Sequence, residues 1–339
     1  MIRTLIVDDS ATMRALIAVT LRRDPGITVV GQAGNPQEAR AAIKALNPDV
    51  ITLDIDMPGM NGLEFLEKLM RLRPMPVVMI STLTARGAEA TLKALALGAV
   101  ECVVKPSRGE GFDNLAGAIH TAASARVRAP ADLPQGLAPV PFHGDGTIVA
   151  IGASTGGVEA LVTLLASFPA NCPPTLITQH IRPAFTRSLA ERLDRSCAAS
   201  VSEAEDGAPL LSGCVYLAPG GAAHLAVAGS GPWRCSLQPG PAVNGHCPSI
   251  DVLFASLARH AGPRAVGAIL TGMGRDGAQG LLAIRERGGR TLGQDQDSCV
   301  VYGMPRAAYE IGAVEAQVPL NMMAGRILAA ASSLSVGVA

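Results

Sequence analysis

The 339-residue sequence predicts an α/β protein built from two doubly wound domains with parallel sheets, joined by a proline-rich linker. In residues 1–122, short apolar runs alternate with segments whose apolar residues recur at helical spacing, which is typical of a parallel sheet covered by helices. Four prolines then fall between residues 129 and 141, where no apolar period is present. A second alternation follows, so we expect domains at 1–122 and 146–335 with a linker at 123–145.

The first domain is predicted to contain five strands and five helices. Ser10 suits the cap of the first helix. Asn35 and Pro36 suit the cap and first position of the second helix, with Glu38 as a capping-box glutamate. The predicted strands are Ile2–Val7, Ile27–Gly31, Asp49–Asp54, Pro76–Ser81 and Val100–Lys105. The remaining helices are predicted at Leu63–Leu72, Ala88–Leu97 and Asp113–Ala123.

The second domain shows the same alternation with one interruption. Segments at His224–Ala228 and Arg234–Gln238 have the character of a hairpin, which departs from a purely parallel arrangement. The predicted strands of the sheet are Thr147–Ile151, Thr175–Thr178, Cys214–Ala218, Val266–Thr271 and Arg290–Leu292.

The composition limits the class of protein. Lys and Arg together number 28, as do Asp and Glu, so the formal net charge is zero, which argues against a general nucleic-acid-binding surface. Seven cysteines without a C-x-x-C pair are typical of reduced thiols in the cytosol. The charged residues Arg3, Asp8 and Asp9 come too early in the sequence for a signal peptide, and no apolar run has membrane-spanning length. We therefore expect a cytoplasmic protein that binds no nucleic acid and inserts into no membrane.

Several predicted strands of the first domain end in a polar residue. Asp8 and Asp9 follow the first strand, and Asp54 ends the third; Ser81 ends the fourth and Lys105 the fifth. The carboxyl ends of parallel strands share one edge of a sheet, so these groups should meet in one crevice. Clustered carboxylates repel unless a cation joins them, and oxygen ligands suit Mg²⁺. Each acid alone is as compatible with helix capping, but the combination favours a phosphoryl-acceptor site.

These residues stand in motifs that closely resemble the response-regulator receiver domain over residues 1 to about 122. The matching segments are Val7–Ser10, Leu53–Gly62, Met79–Ser81 and Val103–Pro106. Many receivers carry an aromatic switch residue at the position of Cys102, so the resemblance does not extend to aromatic coupling.

The receiver resemblance implies a role for each residue of the crevice. Asp54 would be the phosphoacceptor rather than Asp56, and a CheA-type histidine kinase would be the phosphodonor. Asp9 and Asp54 would hold Mg²⁺ directly, together with the backbone carbonyl of Asp56, whereas Asp8 would act mainly through water. The implied switch hydroxyl is Ser81, and the implied phosphate-pairing lysine is Lys105.

One segment of the second domain suits a nucleophile. The run Thr147–Ile151 leads into Gly152–Gly156, which fits the G-x-S-x-G pattern with Ser154 on a sharp strand-to-helix turn. The following helix offers backbone N–H groups beside the hydroxyl, where an oxyanion would develop. Taken alone, the segment is equally compatible with a turn that serves packing or phosphate binding.

A serine nucleophile needs a base, and His180 is the best placed of six histidines. It ends the strand that follows the serine's helix, and Asp276 lies in the glycine-rich turn after the strand at Val266–Thr271. Three strand ends would thus bring Ser154, His180 and Asp276 to one edge. Taken singly, His180 could be a hydrogen-bonded structural histidine, and Asp276 could be the N-cap of a helix. The chain order also differs from that of α/β-hydrolases, in which the acid precedes the histidine, so that fold is not predicted.

Residues 146 to 335 resemble the catalytic domain of the chemotaxis protein-glutamate methylesterases, the CheB family. The matching segments are Gly152–Gly157, Gln179–Thr186, Tyr216–Gly220, Pro248–Phe254, Leu270–Ala278, Gln294–Asp295 and Tyr302–Pro305. The resemblance implies a Rossmann-like second domain after a flavodoxin-like receiver, and no triad residue is missing.

The activity implied is a phosphorylation-regulated hydrolysis of γ-glutamyl methyl esters on methylated chemoreceptors, often with deamidation of receptor glutamines. Ser154 would attack, His180 would take its proton and Asp276 would orient His180, with no cofactor in the ester reaction. Backbone amides of Thr155, Gly156 or Met273 are expected to hold the oxyanion.

Two other functions are alternatives to this one. A response regulator with a DNA-binding effector would need a helix-turn-helix with a basic face, and the second half shows none. A receiver-gated hydrolase of small esters would share the same triad, and only a comparison of substrates separates it from a methylesterase.

Overall fold

The computed structural model describes residues 1–57, 60–82, 84–106, 111–112, 114–127, 142–143 and 146–335. The chain divides into two units, within Met1–Leu133 and Pro134–Ala339. Most of the predicted linker at 123–145 lies outside the described residues, as do Pro58 and Gly59 of the receiver motif. The domain bounds of 1–122 and 146–335 remain predictions.

The first unit is a five-stranded parallel sheet in the strand order β2-β1-β3-β4-β5. Every residue of the third and fourth strands is buried, as expected of a sheet covered by helices on both faces. All ten predicted elements are present, and this confirms the fold class of the first half. They are β1 (Ile2–Val7), α1 (Ala11–Leu21), β2 (Ile27–Ala33), α2 (Pro36–Leu46), β3 (Val50–Asp54), α3 (Gly62–Leu72), β4 (Val77–Ser81), α4 (Ala85–Ala96), β5 (Glu101–Val104) and α5 (Leu115–Ser124).

Two of the predicted helix caps form hydrogen bonds. Ser10 Oγ accepts from the N–H of Met13 at 3.3 Å, and Asn35 Oδ1 accepts from the N–H of Glu38 at 2.9 Å. The contact of Glu38 differs from that in an ordinary capping box: its Oε2 accepts from the N–H of Gly34 at 2.8 Å, one residue before the cap, rather than from the N–H of the cap itself. The glutamate therefore fixes the chain that enters α2 as well as the helix itself.

The second unit is a seven-stranded parallel sheet in the order β14-β13-β12-β6-β7-β9-β8, with the predicted hairpin as a separate antiparallel pair. Strands β8 and β14 were not predicted, because each is only three or four residues long and mixes polar with apolar residues. The elements are β6 (Ile148–Ala153), α6 (Gly157–Leu165), β7 (Thr175–Gln179), α7 (Pro183–Ser196), β8 (Ser200–Glu203), β9 (Cys214–Leu217), β10 (Ala223–Ala228), β11 (Arg234–Pro239), α8 (Ile250–Ala261), β12 (Ala265–Ile269), α9 (Ala278–Glu286), β13 (Arg290–Gln294), α10 (Met304–Glu310), β14 (Ala316–Val318) and α11 (Leu320–Ser335).

The centre of the second sheet carries the candidate catalytic groups. All residues of β6, β7 and β12 are buried, and α8 packs against the sheet at β6. Gly152 permits this close contact, because a Cβ there would lie 2.3 Å from Cγ2 of Ile250 at the start of α8. Among the described helices, none combines the length with the apolar character needed to cross a bilayer.

We expect Gly152→Ala to lower the free energy of unfolding by about 1–3 kcal/mol, because the added methyl group overpacks the contact with Ile250. Urea unfolding of the full chain measures this. Gly325→Ala in α11 is the matched control, since no described atom lies within 4 Å of a Cβ there. It should leave stability unchanged or slightly raised. Equal stability of Gly152→Ala and wild type would contradict the tight packing.

Candidate active site and candidate phosphoacceptor site

Ser154 stands on the predicted turn between β6 and α6. Its N–H donates to the carbonyl of Thr271 at 3.0 Å, and its own carbonyl accepts from Gly157 N and Gln179 Nε2, both at 2.8 Å. Gly156 caps α6 with a φ of 77°, a conformation that favours glycine. The segment after β12, the first residue of α6 and the last residue of β7 therefore hold the backbone of the serine in place, and the sharp strand-to-helix turn is present.

His180 follows β7 directly, beside the serine. In the parallel register Ala153 pairs with Gln179, and the N–H of His180 donates to the carbonyl of Ala153 at 3.0 Å. The next residue on each strand is therefore Ser154 on one and His180 on the other. The imidazole is nearly buried, and its Nε2 lies 2.9 Å from Oδ2 of Asp276.

Asp276 is buried and accepts hydrogen bonds from the start of α8 as well as from His180. The donors at α8 are the N–H of Ile250 at 2.7 Å, the hydroxyl of Ser249 at 2.8 Å and the N–H of Asp251 at 3.3 Å. Burial alone would raise the pKa of Asp276, but the hydrogen bonds from His180 and these donors hold it well below its ordinary value. Asp276 is thus a helix cap and the partner of His180 at once, although the helix it caps is α8 and not its own α9.

The ionised state of Asp276 fixes the tautomer of His180. A carboxylate can only accept, so the ring nitrogen beside it, Nε2, carries a proton, and in the neutral imidazole Nδ1 is then the nitrogen with the lone pair. Nδ1 is buried and has no hydrogen-bond partner among the described residues. The structure therefore joins His180 to Asp276, and it brings Ser154 to the adjoining strand end without a hydrogen bond to the ring. Catalytic hydrogen bonds are often long before substrate binds.

The predicted oxyanion residues lie around the serine. The carbonyl of Thr155 accepts from the hydroxyl of Thr271 at 3.0 Å, and Gly156 is the N-cap of α6. Met273 is about half exposed and follows Gly272, whose N–H donates to Val301. These contacts place the residues near the reactive edge, and their role as oxyanion donors remains a prediction.

The sequence reasoning missed two residues of this site. The ring of His246 stacks on that of His180, with centroids 3.7 Å apart and an angle of 8° between planes. Asn244 Nδ2 donates to Oδ1 of Asp276 at 3.0 Å. The signal that could have found them is the Asn244-Gly245 pair, which is typical of a two-residue hairpin turn.

In the first unit, the predicted carboxylates meet at the edge of the sheet. Oxygens of Asp8, Asp9 and Asp54 all lie within 4.8 Å of one another, and Lys105 Nζ lies 2.8 Å from Oδ2 of Asp54 and 3.5 Å from Oδ2 of Asp8. Burial raises the pKa of Asp54 to about 6 and that of Asp8 above its ordinary value, against the opposing effect of Lys105. Asp8 Oδ2 is buried and lacks a hydrogen-bond partner among the described residues. This donor set fits a hard divalent cation.

The remaining receiver residues lie around this cluster. Ser81 is buried, and its hydroxyl accepts from that of Thr91 at 3.2 Å. The thiol of Cys102 donates to the carbonyl of Thr91 at 3.9 Å, and burial raises its pKa. Asp56 is exposed and its N–H donates to Oδ1 of Asp54 at 3.3 Å, so the two carboxylates occupy different environments. The buried acid is the one that the motif assigns as phosphoacceptor.

Two family comparisons define the class of this protein. The CheB methylesterase family matches residues 149–327, and the response regulator receiver domain matches residues 4–116. The chain therefore belongs to the CheB methylesterase family and carries a receiver domain in its first half.

The similarity to individual relatives extends over nearly the whole chain. The protein-glutamate methylesterase/protein-glutamine glutaminase 1 of Caulobacter vibrioides is 60% identical and covers 98% of each chain. The protein-glutamate methylesterase/protein-glutamine glutaminase of Agrobacterium fabrum is 59% identical and covers 96% of this chain and 95% of its own. The crystal structure of the Thermotoga maritima CheB methylesterase catalytic domain is 36% identical with a TM-score of 0.53, covering 55% of this chain and 98% of that one.

We expect Asp276→Asn to lower the free energy of unfolding at pH 7 by about 1–3 kcal/mol, because an amide cannot accept from all the donors around it. The pKa of Asp276 is lower in the folded chain than its ordinary 3.8, so its stabilisation is complete above about pH 4 and is lost as the pH falls further. Urea unfolding at pH 7 and pH 3 should therefore show a difference from wild type that shrinks in acid. Asp206→Asn, at an exposed carboxylate, should change stability little at either pH. A difference that stays constant between the two pH values would contradict the lowered pKa.

Proposed function

We propose that this protein is a protein-glutamate methylesterase that also deamidates glutamine, with an activity regulated by phosphorylation of its receiver domain. The observation that carries the proposal is the buried pair of His180 and Asp276 beside the Ser154 turn, with a free lone pair on His180 Nδ1. Relatives about 60% identical over the full chain, whose names state both activities, support the assignment of substrate.

The first half-reaction forms an ester on Ser154. Its Oγ attacks the γ-carbonyl carbon of a methylated glutamate, and the hydroxyl proton passes to His180 Nδ1, the ring nitrogen that keeps a lone pair. Asp276 accepts from Nε2 throughout and stabilises the imidazolium. Backbone amides near Thr155, Gly156 or Met273 hold the negative charge on the carbonyl oxygen.

The tetrahedral intermediate collapses when the bond to the methoxy oxygen breaks and His180 Nδ1 returns its proton to that oxygen, which releases methanol. Water then attacks the acyl carbon while His180 Nδ1 takes a proton from it, and the bond to Ser154 Oγ breaks as His180 returns this proton to Oγ, which releases the glutamate carboxylate and restores the serine hydroxyl. A glutamine side chain follows the same path and releases ammonia instead of methanol. The chemistry needs no cofactor in this unit.

The receiver unit would take its phosphoryl group on Asp54. Mg²⁺ held by Asp9 and Asp54, the carbonyl of Asp56 and, through water, Asp8 would offset the charge of the incoming phosphate. Lys105, already 2.8 Å from Asp54, would pair with a phosphate oxygen, and Ser81 would leave Thr91 to bind another. We propose a CheA-type histidine kinase as the phosphodonor and methylated chemoreceptors as the substrates, both acting in the cytoplasm.

Ser154→Ala should reduce methanol release from methylated receptor membranes by roughly 10⁴-fold or more, because no other hydroxyl replaces the nucleophile. Initial rates of methanol release at equal protein concentration measure this. Ser202→Ala, at an exposed serine of the same unit, should retain wild-type turnover. Near-normal turnover in Ser154→Ala would remove the nucleophile assignment, and faster hydrolysis of small esters than of receptor by the wild type would favour a small-ester hydrolase.

Asp54→Asn should abolish Mg²⁺-dependent labelling by a small phosphodonor such as acetyl phosphate, because the amide offers no acceptor carboxylate. Asp56→Asn is the matched control, since it removes the neighbouring exposed acid and leaves the buried one in place. Acid-labile phosphate bound per chain measures both variants. Full labelling of Asp54→Asn would show that another residue is the acceptor.

A further inference from the structure

His246 takes no part in the proposed reaction, yet its ring stacks on that of His180. The two imidazole planes are within 8° of parallel at 3.7 Å, so His246 covers one face of the His180 ring. His246 is itself half-buried. Two nearly parallel rings whose centroids are this close are in van der Waals contact face to face.

His246 is held in place by the turn that precedes it. Val243 and His246 exchange two backbone hydrogen bonds of 3.0 Å across Asn244 and Gly245, whose φ angles are 53° and 82°. These angles are those of a tight hairpin turn in which both central residues are left-handed. Asn244 then fastens the turn to the active site through its bond to Asp276.

A buried histidine secures both ends of the same segment. His224 Nδ1 accepts from the N–H of Ser249 at 3.0 Å, and its Nε2 lies 3.0 Å from the carbonyl of Pro241. The segment from 241 to 249 is therefore fixed at both ends by one side chain and at its centre by Asn244. These hydrogen bonds hold His246 in place against His180, as a positioning group requires.

The hydrogen bond from Nε2 to Asp276 holds one atom of the His180 ring, which by itself restricts rotation of the ring about its Cβ–Cγ bond only in part. Nδ1 has no hydrogen-bond partner among the described residues that would stop this rotation. We propose that His246 is a positioning residue: by covering one face of His180 it fixes the plane of the ring and so keeps Nδ1 directed at the nucleophile. This proposal rests on the proposed esterase function.

The electrostatics of His246 agree with this role. Burial and, to a smaller extent, the neighbouring His180 lower its pKa to about 4, against the opposing effect of Asp276. His246 is therefore neutral at neutral pH. When His180 takes the serine proton, the stacked ring adds no second positive charge beside the imidazolium.

Three variants of the full chain test the proposal. His246→Ala removes the ring, His246→Leu restores apolar volume without a flat face, and His246→Phe keeps a flat ring without nitrogen. We expect kcat for methanol release to fall by roughly 10–100-fold in the Ala and Leu variants, with KM unchanged, because a misplaced base costs rate rather than binding. His246→Phe should stay within about threefold of wild type, since the ring face is retained.

His260→Ala, at a histidine whose Nδ1 lies 2.7 Å from the carbonyl of Gly229, is the control and should keep wild-type rates.

A second measurement is independent of the ester reaction. In protein labelled with ¹⁵N-histidine, the Nε2 proton of His180 should be protected from exchange with water in the wild type and in His246→Phe. It should exchange faster in His246→Ala and His246→Leu. Wild-type kcat and proton exchange in His246→Ala would overturn the proposal, as would a Phe variant that loses as much rate as the Ala variant. If wild type releases no methanol, the proposed function fails, and the exchange of this proton alone still decides whether His246 positions His180.

Discussion

The buried carboxylate of Asp276 is the interaction on which the second unit's reactive edge depends. It accepts from the imidazole of His180 and from the first residues of α8, so one side chain orients the base and caps a core helix. Ile250, whose N–H donates to this carboxylate, also packs on Gly152 in β6, the strand that ends just before the serine. The nucleophile's strand, the base and the acid therefore share one set of rigid contacts.

Two of the buried aspartates, Asp276 and Asp54, have pKa values shifted in opposite directions for a physical reason. Asp276 is surrounded by donors, and they lower its pKa despite burial. Asp54 has few donors and a second buried acid, Asp8, nearby, so burial raises its pKa to about 6 in spite of Lys105. The first carboxylate is satisfied and acts as a fixed support. The negative charge of Asp54 is only partly stabilised by its neighbours, which suits a group that takes up a cation and a phosphoryl group.

The sequence predicts the fold and the convergence of the candidate groups of each site, because each group ends or closely follows a strand and parallel strands end at one edge. Asp54, Ser154, His180 and Asp276 were all found in this way. The short strands β8 and β14 were missed, since three or four mixed residues carry no clear period. The stacking of His246 on His180 could not be predicted, because it depends on how the segment from 241 to 249 folds back over the site.

Reaction with an alkyl fluorophosphonate tests the central claim most directly, because this reagent modifies only an activated nucleophile and needs no receptor. In the wild type, mass spectrometry of the digested full chain should find one adduct, on Ser154, formed as Oγ displaces fluoride. In His180→Ala the rate of this modification should fall by about 100-fold or more, since a general base contributes at least this much. An adduct on another residue, or an equal rate in His180→Ala, would contradict a serine nucleophile activated by His180 and Asp276.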